Sequence, residues 1–319
     1  MGGVASLILD AAIYVALFLA SSMAGLFLAC LLNEYGLLRR AGPAVKALLR
    51  PVGLPDFVFP AVASAMVNAY RAEHMIIYDY YSRGLLSEDA VVFYVLASGY
   101  LRAVGALLHV GPIALAALGP IGLIYLALLY IKYVLNTVIG LVYGRVRGIR
   151  IVNAQVGPSL MSNHGSGNRL KPCFTRSLRV TLRVLPRFLI VIITVLLLEY
   201  FGVFTALGHY LIVNAGVLSY FLSPASITVL STAIASPSAS YFVAASLFRH
   251  GQLSLKFLLI ALLLGSTING LTIGLMRHSL PFYLSIYPPK LAVKTAVAQA
   301  LADAVSLTVI ITLLMVFNA

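Results

Sequence analysis

The sequence predicts an all-α, polytopic membrane protein. It is expected to be built as two inverted repeats, each with three transmembrane helices and a re-entrant helical hairpin. Three observations lead there. Of 319 residues, 61% are hydrophobic and 10% charged, and mean hydropathy is +1.00; a soluble domain carries about 25% charged residues. Nearly continuous apolar runs cover Ser6–Leu32, Val91–Leu101, Ile113–Ile131, Phe188–Leu198, Phe257–Leu264 and Ala304–Phe317. Most extend through mildly polar flanks to the roughly 20 residues that a bilayer crossing needs. Finally, the second half echoes the first: Leu31-Leu32-Asn33-Glu34-Tyr35 returns as Leu196-Leu197-Leu198-Glu199-Tyr200, and Gly84-Leu85-Leu86-Ser87 as Gly251-Gln252-Leu253-Ser254. Repeats with an odd number of spans are threaded in opposite senses and usually enclose a site near the bilayer midplane.

The elements follow in order. The first repeat is read over 1–144, a basic cytoplasmic connector over 145–182, and the second repeat over 183–319. Residues 4–32 make the first span. The run is too long for a signal core, carries Asp10 and lacks a basic leader, so a cleaved signal peptide is not expected. Residues 34–53, with Arg39, Arg40, Lys46 and Arg50 among apolar neighbours, read as a helix lying on the membrane surface. Residues 57–82 contain Asn68, Arg71, Glu73, His74 and Asp79 behind Pro60. A charge at the bilayer centre costs at least about 2.5–3.5 kcal/mol. This segment therefore reads as a hairpin shielded by protein, which also solves the parity of the crossings. Spans over 90–109 and 119–143 complete the half.

The second half has spans over 183–203, 257–276 and 291–316, a surface helix over 205–220 and a hairpin over 222–249 broken at Ser236-Pro237-Ser238. Eight or more ordinary helices is the alternative threading.

Net charge is +13, yet 16 of the 22 Lys and Arg fall in Arg39–Arg50, Arg145–Arg187 and Arg277–Lys294, beside apolar runs. The positive-inside rule accounts for that distribution, so no nucleic-acid partner is expected. These stretches are placed in the cytoplasm and both termini outside, in a multi-pass protein of the cell membrane. Arg277–Lys290 is read as a turn inside. Cys30 and Cys173 suggest neither a disulfide framework nor a metal cluster, and His164 with Cys173 is too little for a metal site. No nucleophile–base pair or dinucleotide fingerprint is present, so an enzyme is not expected.

An offset of 167 residues superposes Gly84 on Gly251. It also sets Arg102 on Asn269 and Asn136 on Asp303, four polar residues inside apolar spans. Ionisable groups in such places point to function, although Asn also serves simply to join helices. In the first hairpin Ser64, Asn68, Arg71, His74, Tyr78 and Tyr81 recur at helical spacing and form one stripe, with Glu73 off it. Thr295, Gln299, Asp303 and Ser306 form another, and Lys132 precedes Asn136 by four residues. The candidate solute ligands are thus Asn68, Arg71, His74, Arg102, Asn136, Asn269 and Asp303. Glu73, Asp303 and Gln299 are candidates for coupling to Na+ or H+. Hairpin two offers Ser231, Thr232, Ser236 and Ser238, whose hydroxyls could equally serve close helix packing.

The stretches Pro60–Leu86 and Pro224–Ser254, with Arg277-His278-Ser279-Leu280-Pro281-Phe282-Tyr283 downstream, resemble the nucleoside-recognition (Gate) family, particularly its archaeal stand-alone members. That resemblance implies a permease-like core, with hairpins gating a central site for a small polar, nucleoside-like solute. The other readings are a membrane scaffold of transporter-like fold, and a divalent-metal permease built on Glu73, His74 and Asp79. Lipids are the expected surroundings, and a homo-oligomer stays open.

Overall fold

The structure is a computed structural model, describing residues 4–34, 47–66, 69–149, 170–214 and 222–316. Helix is the only regular structure among them. The chain opens with α1 (Val4–Glu34), then the pair α2 (Phe59–Met66) and α3 (Tyr70–Ser82). Next come α4 (Glu88–Ala97), α5 (Gly99–Leu118) and α6 (Pro120–Val146). The second half holds α7 (Leu170–Tyr200), α8 (Val203–Asn214) and the pair α9 (Pro224–Ala235) and α10 (Pro237–Arg249). It closes with α11 (Leu255–Asn269), a π-helix (Gly270–Ser279), α12 (Leu280–Ile286) and α13 (Pro289–Val316).

Among the described residues, five helices are long and apolar enough to cross a membrane: α5, α6, α7, the run from α11 through α12, and α13. Large apolar side chains stand exposed along three of them, including Leu123 on α6, Ile190 on α7 and Leu301 on α13, each more than 60% exposed. Such surfaces suit acyl chains rather than water. This is a helical membrane protein.

Local chemistry explains the breaks. After α3, the Leu85 N–H bonds the Tyr80 carbonyl and the Gly84 N–H bonds Tyr81, with Gly84 at φ 73°. After α10, the Gln252 N–H bonds Leu247 and the Gly251 N–H bonds Phe248, with Gly251 at φ 70°. Both are Schellman stops, which need a left-handed residue that glycine supplies cheaply. Three residues on, Ser87 and Ser254 each accept a hydrogen bond from the third backbone N–H beyond them and start α4 and α11. Pro120 and Pro289 occupy the first turns of α6 and α13, where a missing N–H costs nothing.

The directions of the helices can be read from their end contacts. At one end Asp89, at the start of α4, meets Tyr143 near the end of α6 and Lys294 near the start of α13. At the other, Lys256 at the start of α11 donates to the Met315 carbonyl near the end of α13. So α4 and α11 begin at opposite ends of the bundle. The core divides accordingly. One cluster surrounds α2 and α3 and includes Tyr94, Ile286 and Leu291. The other surrounds α9 and α10 and includes Leu118, Leu258 and Ile310. Along α13 alone, Leu291 and Ile310 are about 28 Å apart, close to one hydrocarbon thickness.

Several boundaries differ from the expectation. Helix α7 begins at Leu170, inside the expected connector, because its first turns bury Cys173, Ser177, Val180 and Thr181. The Arg277–Lys290 segment is not a turn; the helix runs on through a π segment to Ile286 and stops before Pro288. The span expected over 90–109 is divided at Ser98 into α4 and α5. Cys30 and Cys173, expected to be unconnected, form a disulfide that ties α1 to α7. Their distance of 143 residues in sequence hides a proximity that only the packing of α1 along α7 creates.

Candidate functional site

The first centre sits where α3 meets α4, α5 and α12. Glu73 and His74 are both fully buried on α3. The Arg102 Nε lies 3.3 Å from Glu73 Oε1, which also accepts from the Tyr94 hydroxyl at 3.1 Å. The guanidinium further donates to the Val95 carbonyl at 3.2 Å and to His74 Nε2 at 3.3 Å. A guanidinium has no acceptor, so His74 Nε2 must accept and its proton must be on Nδ1. Nδ1 then donates to the Tyr287 hydroxyl, 3.0 Å away. In this arrangement His74 is neutral. Glu73 Oε2 has no hydrogen-bond partner among the described residues, and its 4.0 Å approach to His74 Nε2 is not a bond.

Aromatic rings enclose this centre. Arg102 lies over the Tyr70 ring at 4.8 Å, and the Tyr70 hydroxyl pairs with that of Tyr283 at 2.8 Å. Phe282 packs against both Tyr70 and His74, with ring centroids 4.8 and 5.3 Å apart. The low dielectric strengthens each bond and equally raises the cost of any group left unpaired.

The second centre lies at the midpoints of two crossing helices. Asp303 stands halfway along α13, about 20 Å from either end at 1.5 Å per residue. Its Oδ1 accepts from Asn136 Nδ2 at 2.8 Å and faces Lys132 Nζ at 3.1 Å, both on α6. Gln299 Nε2 reaches Oδ2 at 3.5 Å, and Ser306 donates to Asn136 Oδ1 at 2.7 Å. Thr137, the residue after Asn136 on α6, accepts from the Tyr100 N–H at 2.9 Å. The start of α5 fits there because Gly99 has no side chain: a Cβ would lie 2.8 Å from the Tyr133 carbonyl.

Of the sequence-predicted ligands, His74, Arg102 and the coupling candidate Glu73 gather in the first centre. Asn136, Asp303 and Gln299 gather in the second. Glu73, placed off the hairpin stripe by its spacing, is drawn into it by the reach of Arg102. Asn269 stands apart from both, donating to the Ile234 carbonyl of α9 at 2.5 Å. Asn68 lies outside the described residues, as does His164. In the second helix pair Thr232 bonds the Thr228 carbonyl, Ser236 caps α10, and Ser238 is exposed. Ser231 is half-buried.

Arg71 turns from the buried centre into a cleft of about 510 Å³ between the start of α3, the middle of α7 and the π-helix with α12. Arg277 and His278 line the same cleft. Assigning them to an inside loop concealed them; the π segment, a wide turn common at functional sites, is what brings them here.

No family model matches the chain, and no solved structure matches it. Two proteins of Methanocaldococcus jannaschii are similar. The uncharacterized protein MJ0880 is 26% identical over 285 residues, covering 86% of this chain and 89% of the relative. The uncharacterized protein MJ1556 is 25% identical over 272 residues, covering 82% of each.

Proposed function

We propose that the chain is a permease that moves a small polar solute across the cell membrane by alternating access. In this reading the halves are inverted repeats and the pairs α2–α3 and α9–α10 are re-entrant gates. The single observation that carries it is the Glu73–Arg102–His74 centre, an ion pair whose carboxylate is fully buried in a membrane protein, with one carboxylate oxygen unpartnered among the described residues. Intramembrane charge is costly and marks transport pathways. The matching Schellman stops and serine caps, and the opposite starting ends of α4 and α11, support the inverted threading. Basic stretches on the cytoplasmic side would leave both termini outside.

Arg102, His74 and Glu73 would face the solute through hairpin one, and Asp303 with Asn136 and Gln299 would sense the coupling ion, Na+ or H+. The resemblance to the nucleoside-recognition family supports a nucleoside-like solute as the first to try. The metal reading loses support, because Asp79 is held by Arg83 and Arg176 and does not join Glu73 and His74. The scaffold reading is favoured by one observation: Thr232 and Ser236 in hairpin two are spent on their own backbone. Purified protein in proteoliposomes, given nucleosides or organic acids under an imposed Na+ or H+ gradient, tests the proposal. Gradient-driven uptake that disappears in Asp303→Asn supports it; folded protein with no flux of any solute rejects it in favour of a scaffold.

A further inference from the structure

We infer that the cleft beside the first centre is a binding site for an anion-headed amphiphile, a phosphate or carboxylate carried on an apolar body. The inference rests on the cleft and needs no transport. Its apolar wall comes from Phe188, Val191, Ile192 and Val195, one side of α7. Its polar side brings together Arg71, Arg277 and His278. Arg277 is neutralised by Glu199, which it contacts directly, and also lies over the Phe204 ring at 5.8 Å. Arg71 is different: it is half-buried, and among the described residues it has no ion pair and no hydrogen bond. The cleft therefore holds one uncompensated cation beside an apolar wall.

The cleft lies away from the end of the helix. Arg277 lies nine residues before Ile286, about 14 Å inside the end of the helix that runs from Leu255. A water-soluble anion would meet the arginines but leave the α7 wall bare; a neutral apolar molecule would leave Arg71 unpaired. Only a molecule with both characters satisfies the two sides at once. Arginine suits such a head group because its planar fork matches phosphate and carboxylate oxygens. The two sources of this chemistry are a lipid head group entering from the bilayer and a free organic anion.

The test uses the full chain in an uncharged detergent, with dodecyl phosphate and glycerol phosphate titrated separately and thermal unfolding followed. Dodecyl phosphate is expected to raise Tm saturably, with half-saturation about tenfold higher in Arg71→Gln. Arg179→Gln, on the separate basic surface of α7, is expected to behave as the unsubstituted protein. If Arg71→Gln does not fold, Arg71→Lys replaces it, keeping the charge but losing the fork, and weakened binding is again expected. Stabilisation by dodecyl phosphate far below the concentration at which glycerol phosphate acts supports the amphiphile and assigns the site to a lipid-like ligand; equal stabilisation by glycerol phosphate, which lacks the apolar body, overturns it. No shift with dodecyl phosphate, equal affinity in the Arg71 variant, or loss of binding in Arg179→Gln overturns the inference. Binding without solute flux would keep this site and remove the permease.

Discussion

Asn136 and Asp303, 167 residues apart in the chain, hydrogen-bond to each other at 2.8 Å at the middles of α6 and α13. The same offset aligns the two glycine stops, Gly84 and Gly251. Under the inverted-repeat threading proposed above, corresponding residues could touch only near the axis relating the two halves. A double-mutant cycle of Asn136→Ala and Asp303→Asn should give a coupling energy of about 0.6–1.7 kcal/mol. That is the range found for hydrogen bonds between helices in membranes, and less than a charged hydrogen bond gives in a soluble core. Unfolding of the four proteins in mixed micelles measures it; additive effects would mean that the contact carries no energy.

The offset that sets Asn136 on Asp303 was legible in the sequence, since it needs only two polar residues in apolar runs; their hydrogen bond was not, because it depends on how α6 packs against α13. The helix stops were legible for a related reason: a glycine forced into φ > 0 and a serine cap three residues on are local requirements. The Glu73–Arg102 contact was not. Helical spacing set Glu73 off the stripe of His74 and Tyr78, and only a guanidinium long enough to reach round the helix from α5 recruits it. Arg277 and His278 were concealed by charge itself, because a basic segment beside a proline reads as a loop until packing accommodates a π-helix. The Cys30–Cys173 bond depends on how α1 lies against α7, which no local pattern encodes.

The buried ion pair predicts an asymmetric response. Arg102→Met leaves Glu73 enclosed without its cation, and should lower stability by about 3–5 kcal/mol, the usual cost of stranding one partner of a buried pair. Glu73→Gln in the same chain should recover much of the loss, because the stranded charge is then gone. Unfolding midpoints of the single and double variants check this. A double variant no more stable than Arg102→Met would mean that Arg102 acts through packing on Tyr70 and not through Glu73.

The disulfide between α1 and α7 should hold the halves together after the backbone is cut. Proteolysis between them, within 150–169, followed by electrophoresis without reductant, should keep the fragments as one band that separates on reduction. Closing a loop with a sequence separation of 143 residues restricts the unfolded chain strongly, so Cys30→Ser should lower stability by about 2–5 kcal/mol. Fragments that separate without reductant would show the bond to be absent.

The polar cluster at the end of the bundle predicts a small, directed pH effect. Hydrogen bonds from Lys294 and Tyr143 hold the Asp89 carboxyl below its ordinary range. A carboxylate whose pKa falls on folding adds stability that is fully present above its unfolded pKa, about 4. That stability is lost as pH drops from there through the lower folded value. The group is more than one-third exposed and open to solvent screening, so the contribution should be about 0.2–1 kcal/mol, as for other surface pairs. The Tm of the unsubstituted protein should exceed that of Asp89→Asn at pH 6 to 7, and the gap should close under acid. Raising the salt concentration at pH 7 should shrink it too. A gap that widened on acidification would reverse the sign and place the stabilising proton on Asp89 itself.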